Sequence, residues 1–584
     1  MTDQKNLILA IVFSVGIILL FQVFYEMPRL REQERLREMQ EASEQQQEAV
    51  IRPAPSAEAL PPDAEAVGRA IDPGIGLDPA TTRDGALEQT PRVTIDNGRV
   101  HGSIALQGLR IDDITLADYR QVLAPDAPEV ELFNPVGTTA PYFAEFGWVA
   151  TGGVTVPDAD TVWEITGDRL SADASVDFRW DNGEGLIFHK RISLDEDFMF
   201  EIERSVENRS GEPVTLYPYG LVSRWPTPDI MGFFILHEGP IGVLGGTLKE
   251  IDYSSLRGGE PERFESTGGW LGFTDKYWLG ALVPDQAETL EANFRHNLRQ
   301  GEDRYQVDYL GQGRVVPNGE LVTVTDRLFA GAKEVHLLDA YAARYGIPLF
   351  DRAVDFGWFY FLTKPIFHVL TWLYAILGNY GLAILALTLI VKILFYPLAN
   401  KSYRSMSQMK KLQPEMIKLR ERYENDKQKM QQELMALYKR EKVNPLAGCL
   451  PILIQIPVFF ALYKVLFVSI EMRHAPFFGW IQDLSAPDPT SIFNLFGLLP
   501  FGVPGFLMIG VWPILMGLTM WLQFKLNPQP ADPIQAKVMA FLPLIFVFLF
   551  ATFPAGLVIY WTWNNILSIA QQWLIMKRMG VQMG

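Results

Sequence analysis

LTLIVKILFYPL, residues 387–398, sets one lysine inside a run that otherwise reads as a membrane-crossing helix. From residue 381 to 398 the only polar side chains with strong hydrogen-bonding demands are Thr388, Lys392 and Tyr396. A lysine near the middle of a bilayer costs ~3 kcal/mol on insertion-based scales, so a chain that carries one has a use for it. The lysine also lies close to the end of the run, where its side chain can snorkel toward water. Of the two readings, the polar interior is favoured, because intramembrane ionisable residues usually face one.

Around this stretch the chain is plainly divided. Six apolar runs, at residues 7–25, 381–398, 449–469, 506–524, 538–553 and 556–576, approach the ~20 residues a helix needs to span the hydrocarbon. The first is longer than a signal-peptide core, and EMPRLREQERLREM after it offers no small-residue cleavage site, so a retained anchor is expected over residues 1–25. A charged helix and the Pro/Ala-rich tether RPAPSAEALPPDAEA are expected to fill residues 26–92.

Residues 93–345 change character. Short β-type runs are punctuated by the tight-turn signals Asp96-Asn97-Gly98 and Asp181-Asn182-Gly183, and Phe198, Phe200 and Ile202 alternate along one strand. An all-β sandwich follows. His101, His189, His237, His296 and His336 show no metal-ligand spacing and accompany no nucleophile motif, so no catalytic residue, metal or cofactor is assigned. The only cysteine, Cys449, excludes an intrachain disulfide and reads as a small buried apolar group.

The stretch WFYFLTKPIFHVLTWLYAILGNYG, within residues 356–379 and just beyond, has Phe359, Leu362, Ile366, Val369, Leu370 and Leu373 at helical spacing beside Lys364-Pro365. It reads as an amphipathic helix in the outer interface rather than as a further span. After the span expected at residues 380–398, residues 399–444 hold a basic, helical hairpin whose arms turn at Asn425-Asp426. Met406, Met409 and Met416 on one arm and Met430 on the other belong to apolar seams that zip a coiled coil, or offer a soft surface to apolar clients.

Charge orients the chain. Residues 401–442 contain 12 Lys/Arg against 6 Asp/Glu, a cytoplasmic mark, whereas the whole chain carries −17. The acidic sandwich therefore lies outside and both termini inside, although Arg29, Arg31, Arg35 and Arg37 argue the other way for the first span alone.

Polar residues in the other spans give Lys392 company: Gln455, Thr519, Gln523, and in the last span Thr562, Asn564, Asn565, Ser568, Gln571 and Gln572. Single amides and hydroxyls commonly serve interhelical hydrogen bonds, but so many beside a lysine suggest a hydrated cavity. A solute or ion transporter using Lys392 remains the other class open to such a chain, against which stands the lack of an inverted repeat with paired broken helices.

The segments KILFYPLANKSYRSMSQMKKLQPEM, KVNPLAGCLPILIQIPVFFALYKVL and FPAGLVIYWTWNNILSIAQQ resemble, in order, the signatures of the YidC family of membrane protein insertases. The resemblance implies a membrane all-α fold: a five-helix core plus an N-terminal anchor, a periplasmic sandwich similar to galactose mutarotases, and a cytoplasmic helical hairpin. Residues 445–576 would supply helices 3–6, ahead of the short tail 577–584, which has no long basic ribosome-binding extension. It further implies insertion and folding of inner-membrane proteins, alone or with the Sec translocon. The partners would be nascent chains, the lipid bilayer and, in some settings, the ribosome or signal recognition particle, with no direct nucleic-acid contact. The groove would be lined by Lys392, Thr388, Gln455, Trp561 and Asn565, with lysine where many members carry arginine and Trp561 where others carry tyrosine.

Overall fold

The computed structural model describes residues 82–124, 126–151, 153–232, 236–299, 301–357, 359–423, 426–441, 450–499, 503–504, 508–526 and 533–578. The expected anchor and tether therefore lie outside the described residues, as do Cys449 and the tail beyond residue 578. The described residues fall into two compact units, one of residues 412–441 and one of residues 82–411 with 450–578.

The sandwich consists of one 11-stranded and one 9-stranded sheet. In the first, Thr289–Arg299, Glu302–Gly311, Val214–Arg224 and Tyr142–Ala150 run side by side. In the second, Trp278–Val283, Leu321–Ala332, Met199–Asn208 and Leu186–Leu194 do the same. Both Asp-Asn-Gly stretches close hairpins, with Gly98 at φ 89° and Gly183 at φ 73°, a left-handed backbone that glycine adopts without steric cost. Phe198, Phe200 and Ile202 are all fully buried, as their alternation predicts.

The same inward face carries Arg204, also fully buried. Its guanidinium pairs with Asp326 and donates to the carbonyls of Tyr219, at 2.6 Å, and Gly147, at 2.5 Å. A buried pair like this repays its desolvation only through such added hydrogen bonds. Gly147 also has a steric reason, since a Cβ there would lie 2.5 Å from the Tyr219 hydroxyl.

The folded domain starts earlier than expected. A helical turn, Arg83–Leu87, is capped by Thr82, and Arg83 pairs with Asp113, so a flexible linker does not persist to residue 92.

Beyond the last strand, helix α1 (Val335–Tyr345) ends in a left-handed Gly346 and leads to α2 (Tyr360–Leu377). Lys364 of α2 reaches back to Asp339 at 2.7 Å and Asp351 at 2.8 Å, while Phe361, Val369, Trp372 and Ile376 form an exposed apolar stripe. By length and hydropathy α2 could cross a membrane.

The remaining helices are α3 (Tyr380–Leu394), α4 (Tyr396–Arg422), α5 (Lys427–Arg440), α6 (Leu450–Val468), α7 (Val511–Leu526), α8 (Pro533–Phe550) and α9 (Ala555–Arg578). The span expected over residues 380–398 is shorter: α3 stops at Leu394 and the chain bends by 69° into α4. Pro397 is the cause, because it lacks the N–H and its ring would strike the carbonyl four residues back, at Ile393. Helix α7 packs on α8 and α9, and α9 also on α3. Gly517 allows the first of these contacts, since a Cβ there would come within 2.2 Å of Val547.

In the smaller unit, Asp426 caps α5 by accepting from the Lys429 N–H at 3.0 Å. The arms meet through Arg440–Glu415 at 3.0 Å and a Tyr438 hydroxyl that donates to Met416 Sδ at 3.7 Å.

The sandwich is joined to the helices by specific bonds. Lys464 of α6 pairs with Asp355 at 2.8 Å, Tyr277 donates to Ser485 at 3.3 Å, and Arg473 donates to the Arg120 carbonyl at 2.5 Å. Glu471, just past α6, accepts from the Val335 N–H at 3.2 Å at the start of α1, while its other oxygen is buried without a partner. Burial, reinforced by the nearby Glu334 carboxylate, pushes its carboxyl up from 4.5 to about 7. The joint thus holds a proton that free glutamic acid would release. Its stability is full below about pH 4.5 and falls as pH rises to about 7, by at most ~1.4 kcal/mol per pH unit, before levelling off. Glu471→Gln removes this slope. Melting of the detergent-solubilised protein at pH 5 and pH 8 checks it: the variant gains over the native chain at pH 8 and matches it at pH 5.

Candidate functional site

Lys392 sits in the last turn of α3, half-buried, and donates from Nζ to Ser568 Oγ on α9 at 2.7 Å. Ser568 is itself buried and donates its proton to the Asn564 carbonyl at 2.7 Å. Tyr403, on α4 beyond the bend, is buried nearby against Ile575 of α9. Among the described residues no carboxylate pairs with Lys392, so a cation is held here by neutral oxygen alone.

The polar residues of α9 explain how. Thr562, Asn565, Ser568 and Gln572 recur at intervals of three and four, and all four are buried. Each finds a distinct partner: Thr562 donates to the Val558 carbonyl at 2.8 Å, Asn565 to Thr519 Oγ1 of α7 at 3.2 Å, and Gln572 to the Leu526 carbonyl at 3.2 Å. The last of these caps an orphan carbonyl at the end of α7. Trp563 ties α9 to the interior of α3, donating to the Leu385 carbonyl at 3.2 Å.

The other residues expected around Lys392 are distributed along the cluster. Thr388, one turn earlier on α3, is buried and bonds back to the Ile384 carbonyl at 2.7 Å, so its hydroxyl is spent on its own helix. Gln455, half-buried on α6, lies near the buried Tyr560 of α9. Trp561 packs edge-on against Phe459 at 4.7 Å and against Phe550 at 5.0 Å, an aromatic joint between α9, α6 and α8. Ser568, Thr519 and Gln572 were visible as polar residues in apolar runs. Tyr403 was not, because only the bend at Phe395 and Tyr396 returns α4 toward α9.

The methionine set needs a correction. Met406 does not lie on an open seam: it is buried with Tyr403 and Ile575, against Ala399. Periodicity identifies an apolar face without saying what covers it, and here α9 does. Met409, Met416 and Met430 are half-buried.

A β-sandwich bonded to a cluster of apolar helices, one of them long and apolar enough to cross a membrane, marks a membrane protein that carries a large β domain. Comparison with known proteins gives the class its name. The family description "YidC periplasmic domain" matches residues 92–369, and "60Kd inner membrane protein" matches residues 372–582. Membrane protein insertase YidC of Methylobacterium sp. (strain 4-46) is 49% identical over 610 residues, covering 99% of this chain and 96% of its own length. The Beijerinckia indica protein of the same name is 50% identical over 591 residues, covering 99% and 97%, and that of Rickettsia bellii is 47% identical over 574, covering 98% of both. The chain belongs to the YidC family of membrane protein insertases, inner-membrane proteins with a periplasmic domain rather than enzymes.

Trp561 tests how the aromatic joint holds the helices together. Trp561→Ala removes three ring contacts, to Phe459, Phe546 and Phe550, and a large side chain, at a cost of ~3–5 kcal/mol, while Trp561→Tyr keeps most of the area and costs under about half of that. The midpoint of unfolding in mixed detergent micelles reads both.

Proposed function

We propose that this protein inserts inner-membrane proteins and helps them fold, working alone or beside the Sec translocon, with Lys392 as the residue that greets the client. The observation that carries the reading is the pairing of Lys392 with a serine hydroxyl in place of a carboxylate. Such a cation is held in place yet keeps its charge uncancelled. An acidic group on an incoming chain offers it a stronger, charge-assisted bond than Ser568 does.

The stripe on α9, with Gln455, Thr519 and the end of α3, gives the client's polar tail a hydrated path in place of part of the hydrocarbon. In surroundings of low dielectric the attraction between Lys392 and a client carboxylate strengthens, which draws the tail in. The client's apolar segment then leaves sideways into lipid, driven by burial worth ~25 cal/mol per Å². No nucleotide enters this scheme. The basic hairpin of α4 and α5 receives clients on the cytoplasmic side, with Met409, Met416 and Met430 as its adaptable surface, and the sandwich lies in the periplasm. Thr388 and Trp561 shape the wall of the path, and Asn565 adds to its polarity. The ribosome or signal recognition particle delivers some clients.

The test is insertion of a small membrane protein with an acidic N-terminal tail by vesicles carrying Lys392→Arg, Lys392→Ala or Lys392→Glu. Arginine keeps most of the activity, alanine loses several-fold, and glutamate loses about tenfold, which corresponds to ~1.4 kcal/mol. A photocrosslinker at position 392 captures the nascent chain. Full insertion by the Glu variant removes the electrostatic role. Solute uptake that follows Lys392 while no nascent chain crosslinks there would instead make the protein a transporter.

A further inference from the structure

We propose that the turn over residues 491–499 is a preformed apolar wedge that seats in the leaflet on the sandwich's side of the membrane, at the boundary of headgroups and acyl chains. Its partner is lipid, and the contact is separate from Lys392 and from the path of a client.

The base of the turn is fastened. Asp488 is buried between Trp480, whose indole N–H donates to Oδ1 at 3.1 Å, and the start of α7, where the Trp512 N–H donates to Oδ2 at 2.9 Å. The Thr490 hydroxyl donates to the same Oδ1 at 2.7 Å and accepts from the Val511 N–H at 3.1 Å, while the Ile492 N–H donates to the Ile509 carbonyl at 3.1 Å. Entry and exit of the segment are thus tied together. Gly510 permits the tie, because a Cβ there would lie 2.4 Å from the Asp488 carboxyl carbon.

The tip is built the opposite way. Leu495 and Phe496 follow one another in the left-handed region, at φ 51° and 59°, a backbone that bulky side chains rarely take. Hydrogen bonds hold them in it: the Phe496 N–H donates to the Ser491 carbonyl at 2.7 Å and the Leu499 N–H to the Asn494 carbonyl at 3.0 Å. The strain does not serve the core. Leu495 is 52% exposed, Phe496 49% and Leu498 82%, with Ile492, Phe493 and Leu499 open beside them. Apolar side chains displayed together on a strained backbone mark a contact surface.

The composition and place of the segment make the partner lipid. Residues 489–524 contain no Asp, Glu, Lys or Arg, a run well beyond the ~20 residues of one span, yet α7 begins only at Val511. A surface built for another protein carries a polar rim, and this run offers no charged residue for one. Ser485, shortly before the turn, accepts from Tyr277 of the sandwich, and Asn379, between α2 and α3, donates to the carbonyls of Pro476 and Phe477 at 3.2 and 3.3 Å. The turn therefore stands at the sandwich's end of the helices, and the exposed Trp480 beside it is the residue type that anchors at a membrane-water boundary. Irregular backbone is not tolerated bare in the hydrocarbon, so the tip enters only as deep as an interfacial helix does. Because α7 starts at the clamped base, seating the tip sets the depth at which α7 enters the bilayer.

The experiment uses the full-length protein with Cys449→Ser in vesicles of phosphatidylethanolamine and phosphatidylglycerol, with one nitroxide at a time on Phe493→Cys, Phe496→Cys or Leu498→Cys. Leu321→Cys is the comparison: it is also exposed and apolar, and it opens the strand whose other end, Ala332, leads to α1. Power saturation gives each label's access to oxygen, which concentrates in lipid, and to a nickel chelate, which stays in water. At positions 493, 496 and 498 the oxygen-to-nickel ratio is several-fold above that at 321. A ratio equal to that at 321 puts the turn in water and overturns the proposal. Low access to both colliders means that protein covers the turn, which overturns it as well, and spin–spin broadening that vanishes on dilution with unlabelled chain identifies that cover as a second copy. Should Phe496→Cys not fold on its left-handed backbone, positions 493 and 498 decide the matter alone.

Discussion

A charge among apolar helices must be answered by something polar, and the helix cluster of this protein is organised around that demand. Lys392 cannot be left facing hydrocarbon, and its neighbours on α3 are Leu, Ile and Val. Its answer comes from α9, whose buried Thr562, Asn565, Ser568 and Gln572 each also settle a hydrogen-bonding debt of their own or of a neighbouring helix. The polar stripe is therefore not a lining added to a finished bundle. It is part of what fixes α9 against α3 and α7, and the helices pack around it through small residues such as Gly517 and through the ring cluster at Trp561.

The sandwich obeys a different economy. Two wide sheets bury a continuous apolar core, and their polar exceptions are confined to places where strands leave groups to be satisfied. Arg204 is one, binding two carbonyls and a carboxylate at once. Asn208 is another, donating to the carbonyls of Glu212 and Val316 from a fully buried position. Both serve chiefly to hold backbone that the ladders leave open.

Much of this was legible in the sequence, and the limits have physical causes. Asp-Asn-Gly turns are read from three adjacent residues, and strands from alternation, so the sandwich could be inferred from local pattern. Lys392 stood out because a lone charge in an apolar run is conspicuous. Its partner could not be named, since Ser568 is 176 residues away and hydropathy fixes neither the rotation of a helix nor its neighbours. Pro397 was in plain view but was absorbed into a span drawn by hydropathy alone, which hid the bend and with it Tyr403. Met406 shows the same limit from the other side, as spacing marked it apolar but could not reveal that Ile575 covers it.

The ammonium of Lys364 holds carboxylates from two successive pieces of chain, Asp339 in α1 and Asp351 before α2, while the neighbouring face of α2 bares Phe361, Val369, Trp372 and Ile376. A domain hung from one strand of chain would swivel on it. Here the hanging point is braced, so turning the sandwich means dragging a helix whose bare side is suited only to lipid. The helix works as a keel: packed on α3 and α6, it keeps the domain's heading relative to the helices it joins.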